Sequence, residues 1–260
     1  MDAVTSRIIQ DVGTADAVWL PWLAELDVQG ASASQLCPPG ARLVVVAPHP
    51  DDEVLMCGGL LALRAALKLP TLVVAVTDGE ASHGEVSHGE EAAAQHAGLA
   101  MRRVQESAAG LMALGLPDVP VTRLHLPDGH LSSAGSARAL EHALCKLLLP
   151  ADIVVTTWRL DGHPDHEACA AAAGRAASQV GCTVLQAPVW MWHWATPGDV
   201  RVDWRKLLVL ELPATAVKLK QQALQRHHSQ LEPRGNAQEP VLVASIVERA
   251  ARAREYFFRD

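Results

Sequence analysis

The sequence contains no CxxC pair. Its five cysteines, Cys37, Cys57, Cys145, Cys169 and Cys182, are scattered and odd in number. That argues against a cysteine zinc knot or a disulfide framework and leaves buried or free thiols in a reducing compartment. No apolar run approaches the roughly 20 residues that span a bilayer, so no membrane partner is expected. The opening "MDAVTSRIIQDVG" lacks a basic segment followed by an apolar one. The expectation is therefore no secretory signal and a cytoplasmic location. There is no basic excess either: 22 Lys and Arg stand against 29 Asp and Glu, for a formal net charge of −7. That argues against nucleic acid as the main partner, because phosphate contact needs a basic face. Internal repeats are missing, and so is the G-x-G-x-x-G turn that would let a backbone approach a pyrophosphate.

The 260 residues, 49% hydrophobic and 20% charged, suit a soluble globular chain with one large core. Residues 1–40 stand apart. "VWLPWLAEL" followed by the Pro/Gly-rich "SASQLCPPGA" reads as a helical N-terminal extension packed on a domain formed by residues 41–260. From there the chain alternates. "RLVVVAP", "TLVVAVTDG", "VTRLHL", "ADIVVTTW", "CTVLQAPVW" and "KLLVLEL" read as strands. The stretches starting at Glu53, Gly89, Ser132, Pro164 and Thr215 read as helices, and the Ala-rich "EACAAAAGRAAS" is an ordinary one. Apolar strands alternating with helices predict an α/β fold, a mostly parallel sheet covered on both faces.

In such sheets ligands sit beyond the carboxyl ends of the strands. Polar clusters stand at those positions: His49-Pro50-Asp51-Asp52-Glu53 after the first strand, Thr77-Asp78-Gly79-Glu80 after the second, "PDGH" (127–130) after the third and "RLDGHPDHE" (159–167) after the fourth. Their carboxylates would repel phosphate, so a cation is the natural partner. His49, Asp52 and His166 make a two-imidazole, one-carboxylate set that leaves a fourth position open, as catalytic zinc sites do. Asp51 is placed to take a proton from water, and His163 to stabilise an oxyanion or protonate a leaving amine. Asp165 is placed to hydrogen-bond one of the imidazoles. The plainer reading of a single His-Pro-Asp is a turn, with Asp51 or Asp52 as a helix N-cap. Two such elements at two strand ends are harder to explain as caps.

"PHPDDE" (48–53) with "HPDH" (163–166) resembles the PIG-L/LmbE family of zinc-dependent N-acetylglucosaminyl deacetylases. The turn 77–80, Arg103 and Glu106 in the long helix, "LPDG" (126–129) and "HHSQ" (227–230) add to the likeness, which covers roughly residues 42–230. The resemblance implies a Rossmann-like three-layer sandwich with its site at the carboxyl ends of the strands. It implies one catalytic ion, Zn2+ by preference with Fe2+ or Co2+ as alternatives, held by His49, Asp52 and His166. Asp51 would be the base, and His163, supported by Asp165, would stabilise the tetrahedral intermediate. The implied reaction removes an N-acetyl group from a small-molecule amino-sugar conjugate. Pro48 stands where alanine or glycine is common in the family.

Glu80, Arg159, Trp192 and His193 are the candidate substrate contacts, the last two from "VWMWHWATPGD", whose alternation also fits a half-buried strand. His83, His88, His96 and His142 read as ordinary solvated residues, and His227 and His228 as structural. A different acyl amide or ester substrate, a non-catalytic sugar-binding role and a homo-oligomeric state all stay open.

Overall fold

A computed structural model describes residues 7, 9, 13–84, 89–234 and 238–259; His88 lies outside them. The near-continuous apolar runs form β2 (Leu43–Ala47), β3 (Thr71–Ala75), β5 (Ile153–Thr157) and β6 (Thr183–Ala187), with β4 (Val121–Arg123) shorter than its sequence suggests. Together with β1 (Gln29–Gly30), β7 (Leu207–Glu211) and β8 (Arg254–Arg259) they make one sheet of order β1-β7-β8-β6-β5-β2-β3-β4. All pairings are parallel except those of β8, which runs antiparallel to both β6 and β7. The fold is the expected mixed α/β one, with a mostly parallel sheet between two helical layers.

Side chains alternate across the central strands, as a pleat requires. Leu43, Val45, Ala47, Val73 and Val155 join a core with residues of α3 (Asp52–Ala66) and α8 (Ala214–Leu224). The long α4 (Glu90–Ala113) adds Leu111 to that layer. Val44, Val46, Leu72, Val74 and Val154 face the other way, onto α5 (Ala134–Leu147) and α6 (Pro164–Val180). The alanines of α6 at 172, 173 and 176 are fully buried, so the Ala-rich run is a close-packing face. Both faces of these strands are dry, which is why their sequences show no polar alternation.

Three features depart from the sequence expectations. The strand read through "CTVLQAPVW" stops at Ala187, and the tryptophan-rich run is a short helix, α7 (Met191–Trp194), not a half-buried strand. Residues 13–40 supply more than α1 (Asp16–Glu25) and α2 (Ala33–Leu36): β1 extends the sheet along β7, and Trp19, fully buried, donates its Nε1–H to the Trp192 carbonyl at 2.9 Å. Strand β8 adds to the strands that the sequence pattern marks. Its "REYFFR" core lacks the flanking turn signals that mark strands elsewhere. Two further short helices, α9 (His228–Leu231) and α10 (Ala244–Ala250), close the same end of the sheet as α7. No helix among the described residues is long and apolar enough to cross a membrane.

Helix α3 is broken at Cys57 (φ −152°, ψ 30°), which takes the amides beyond it out of the regular ladder. Glu255 of β8 accepts from the amides of Gly59 at 2.7 Å and Leu60 at 2.9 Å, and from the Lys220 ammonium at 2.7 Å. A Cβ at Gly59 would lie 2.4 Å from the Leu212 side chain, so glycine here lets Leu212 pack against the helix backbone. Glu255 is 2% exposed and Lys220 3%. Glu255→Ala therefore leaves two amides without their carboxylate and a buried ammonium without a counter-charge, with the Leu55 carbonyl at 3.4 Å as its remaining partner. The expected loss is about 3–5 kcal/mol in urea unfolding, and Lys220→Met in the same background should recover part of it. A loss within experimental error would remove Glu255 as the clasp.

Candidate active site

The chain runs β2, β3, β4 outward in one direction, then returns so that β5 lies on the other side of β2. The loops leaving β2 and β5 therefore diverge from neighbouring strands. Such a switch point opens a crevice at the carboxyl ends. It brings 49–53 beside 158–166.

His49 lies directly after β2, and Asp52 opens α3. Asp52 Oδ2 accepts from the His49 amide at 3.0 Å and lies 3.2 Å from His49 Nδ1 and 3.3 Å from His166 Nε2. The donor atoms of His49, Asp52 and His166 fall within 4.8 Å of one another, and all three residues are buried. Ligands held about 2.0–2.1 Å from a tetrahedral ion lie about 3.3 Å apart, so the spacing fits.

Both imidazoles are oriented from behind. His166 Nδ1 meets Asp161 Oδ2 at 2.7 Å. Asp161 is fully buried and also accepts from the amides of Val189, Trp190 and Met191 at 2.9, 3.0 and 2.9 Å. Those donors open α7, so the carboxylate that fixes His166 also starts the helix that replaced the expected strand. His49 Nε2 lies 3.1 Å from Asp128 and 3.3 Å from Asp165. Asp165 accepts from the amides of Gly129 and Leu131, and Asp128 from that of Ala81. Carboxylates behind metal-facing imidazoles fix tautomer and ring angle. A second cluster, His49 with Asp128 and Asp165, also has the spacing for a cation. Its carboxylates already hold backbone amides, and it would leave Asp52 and His166 facing each other, so the first set fits better.

Carboxylate charge dominates the crevice. Burial opposes protonation of His49, yet Asp128, Asp165 and Asp52 outweigh it and raise its pKa well above the usual value. For His166, burial is likewise overcome by Asp52 and Asp161, and the pKa rises to about 9. Burial works against ionisation of Asp52, but the two imidazoles hold its pKa below the usual range. The pocket thus draws positive charge onto the nitrogens that face Asp52. A divalent ion satisfies the same demand.

Asp51 sits beside this set with φ +144°, a conformation that strains any residue but glycine. Two contacts hold it: its amide donates to Glu53 Oε2 at 3.1 Å, and its carboxylate meets Arg103 Nη2 at 3.2 Å. Glu53 is more than first-turn charge, since Ser107 Oγ also donates to it at 2.5 Å. Arg103 donates to the carbonyls of Gly79 and Pro50, and a Cβ at Gly79 (φ +70°) would lie 2.0 Å from its Nη1. The second loop's glycine is thus the seat of an arginine. Burial lifts the Asp51 carboxyl to about 7 despite Arg103. His163 caps α6, and its Nδ1 accepts from the Asp165 amide at 3.2 Å, which leaves its proton on Nε2. Burial, with His166 and His49 close by, lowers its pKa to about 3.

A cavity of about 250 Å3 joins these groups and is walled further by Leu55, Trp190, Gln230 and Leu242. Of the four expected substrate contacts, none lies on it. Trp192 and His193 are buried at 5% and 4% exposure, turned away by the helical twist of α7, which leaves Trp190 on the wall. Glu80 accepts from the Asp128 amide at 2.9 Å and so braces a loop. Arg159 is exposed, outside the cavity. Asp165 supports His49 through its carboxylate and touches His163 only through its amide. Asp161, Asp128 and Trp190 carried no assigned role. Asp161 stands two residues before His163 and Asp128 within "PDGH", where each reads as a turn residue. His83 is half-buried, with Nε2 2.9 Å from the Ser229 carbonyl, and is not a plain solvated residue.

Fold and site together define a Rossmann-like α/β protein with a histidine–carboxylate cluster at a switch point, spaced to hold a cation. Residues 44–177 match the PIG-L family, described as GlcNAc-PI de-N-acetylase, and the chain belongs to that family. No curated protein matches it. Among solved structures it resembles the N,N'-diacetylchitobiose deacetylase of Pyrococcus horikoshii (18% identity, TM-score 0.57, covering 86% of this chain and 82% of that one). It resembles the A40926 pseudoaglycone deacetylase as well (21%, 0.59, 84% and 96%). A third likeness is to the 4-carboxy-2-hydroxymuconate hydratase of Pseudomonas putida KT2440 (18%, 0.53, 81% and 82%). At these identities the likeness is one of fold, and the fold serves more than one reaction.

Behind Arg103 lies His227, fully buried, with neither ring nitrogen hydrogen-bonded among the described residues. Burial, then Arg103, lowers its pKa from 6.5 to about 3. A depressed histidine pKa gives stability that is present above pH 6.5 and lost as pH falls toward 3. The wild type should lose up to about 1.4 kcal/mol per pH unit in that window from this residue. His227→Leu should flatten the pH dependence of urea unfolding by that amount. An unchanged slope would show that His227 does not titrate with unfolding.

Proposed function

We propose that the chain is a zinc-dependent N-deacetylase acting on an N-acetylated amino-sugar conjugate of the N-acetylglucosamine type. The observation that carries the reading is one carboxylate, Asp51, held by Arg103 beside a two-imidazole, one-carboxylate set. His49 through Nδ1, Asp52 through Oδ2 and His166 through Nε2 would hold the ion, with zinc preferred and iron(II) or cobalt(II) suited to the same donors. A bound divalent ion supplies a Lewis acid and lowers the pKa of water to about 7.

The chain's own residues do the rest. Asp51 takes a proton from the water that attacks the acyl carbon, and Arg103 beside it opposes the burial that raises its pKa. Neutral His163 donates its Nε2–H to the oxyanion, a stabilisation that needs no protonated imidazole. Asp51 then returns the proton to the amide nitrogen, the C–N bond breaks, and amine and acetate leave. Trp190 offers an aromatic wall to a sugar face. The family description supports this substrate class, and the unpaired cysteines suit a cytoplasmic location. Because base, oxyanion donor and cation serve any acyl transfer to water, another acyl amide or ester is the second reading.

Asp51→Asn should lower acetate release about 10²–10⁴-fold while metal content stays near that of the wild type. Full activity in that variant would refute Asp51 as base. Chelation should abolish activity, and zinc or cobalt should restore it. A panel of N-acetyl sugars against acetyl esters separates the two readings.

A further inference from the structure

The crevice has two chemically distinct sides. Of the chain's 22 lysines and arginines, all of them among the described residues, only Arg103 lines it. Arg103 is 2% exposed and its outer nitrogens are engaged, Nη1 with the Gly79 carbonyl, Nη2 with the Pro50 carbonyl and with Asp51. Four more bases line a small neighbouring cavity that shares Leu55, and each has a carboxylate in ion-pair range. Lys220 meets Glu255, Arg254 meets Glu211, and Arg249 and Arg252 both meet Asp16. Against Arg103 stand five buried aspartates, Asp51, Asp52, Asp128, Asp161 and Asp165. A divalent ion adds two positive charges, so the carboxylates still outnumber the compensating charge. An anion entering this crevice adds like charge to a surplus, a cost of the kind that excludes wrong partners.

The other side is apolar. Leu55 stands on α3 one turn after Asp51, Trp190 at the start of α7, and Val241 and Leu242 on the segment before α10. The Leu242 amide donates to the Gln230 carbonyl at 2.9 Å, which ties that segment to α9. Leu242 is packed into the core, whereas Leu55, Trp190 and Val241 are half-buried and present apolar surface to the cavity. Sites for small molecules combine such walls with a few polar groups that fix orientation. Covering the wall with an apolar group is favourable in proportion to the area removed from water. The acyl carbon has its place on the charged side, beside Asp51 and His163. Carboxylates accept from hydroxyls, so that side also suits the sugar. The wall is left to the group that the sugar carries.

We infer that the substrate is an uncharged N-acetylated sugar bearing an apolar group, which seats on Leu55 and Val241 beside Trp190, and that conjugates with an anionic group next to the sugar are rejected. The inference rests on the deacetylase reading of the same crevice and adds the chemical class of the conjugate.

The test is calorimetric titration of the zinc-loaded, full-length His163→Gln protein, where a neutral side chain replaces a neutral one, so hydrolysis is slowed and the charges of the crevice are unchanged. The ligands are the methyl, propyl and pentyl glycosides of N-acetylglucosamine, a pentyl glycoside ending in a sulfonate, which carries charge and ligates zinc poorly, and the N-butanoyl counterpart of the methyl glycoside. Affinity should rise about three- to fourfold per added methylene of the glycoside. The sulfonate should bind about tenfold or more weakly than the plain pentyl chain, and the N-butanoyl sugar no better than its N-acetyl counterpart. Val241→Lys in the same background sets a cation on the wall and should shrink or reverse the gap between the plain and the sulfonated chain. No saturable binding of the pentyl glycoside, affinity flat along the alkyl series, a sulfonate bound as tightly as the plain chain, affinity gained from the longer acyl group, or an unchanged gap in a well-folded Val241→Lys protein overturns the inference. Acetate release by the wild type reports separately on the reaction: selective binding of apolar glycosides without acetate release removes the deacetylase reading and leaves the class of ligand in place.

Discussion

Everything at the carboxyl end of the sheet answers to one constraint, a surplus of buried negative charge. Asp51, Asp52, Asp128, Asp161 and Asp165 are all at most 7% exposed, and they gather around two imidazoles and one arginine. Carboxylates do not stay ionised out of water without compensation. The fold provides it in layers. Backbone amides from the loops after β4 and β6 take the outer oxygens, Arg103 takes one face of Asp51, and the imidazoles are left to bridge the rest. The nitrogens facing Asp52 are where the remaining demand for positive charge is concentrated.

The same carboxylates are structural. Asp161 ties the loop after β5 to the start of α7, so the tautomer of His166 and the position of Trp190 are set by one group. Asp128 and Asp165 tie the loop after β4 to His49. His49 is thus held from strands other than its own, and His166 by a carboxylate of its own loop that is anchored in turn to the segment after β6. Asp51 is the exception, since its strained backbone is kept in place by Glu53 and Arg103, both drawn from helices packed on the same face.

What could be read from the sequence divides along physical lines. The central strands were legible because both of their faces are dry, and the positions of His49, Asp52 and His166 followed from polar residues interrupting apolar runs at strand ends. Asp161 and Asp128 were not legible, because an aspartate beside glycine has the same local signature in a solvated turn. Trp192 and His193 misled because alternation of aromatic residues fits a strand, whereas three amides donated to Asp161 make the segment helical and rotate those side chains inward. β8 was missed because its pairing depends on residues far away in sequence.

That last strand has a further bearing on how the sheet is assembled. β8 lies between β6 and β7, although it follows both in sequence. Until residues 254–259 are in place, β7 and β1 form a two-stranded ribbon with no hydrogen-bonded link to the five-strand remainder, and two edges stand open to wrong partners. Joining the halves also brings Glu255 to the broken helix α3. Closure of the sheet and completion of the helix next to the crevice are one non-local event, of the kind that slows folding.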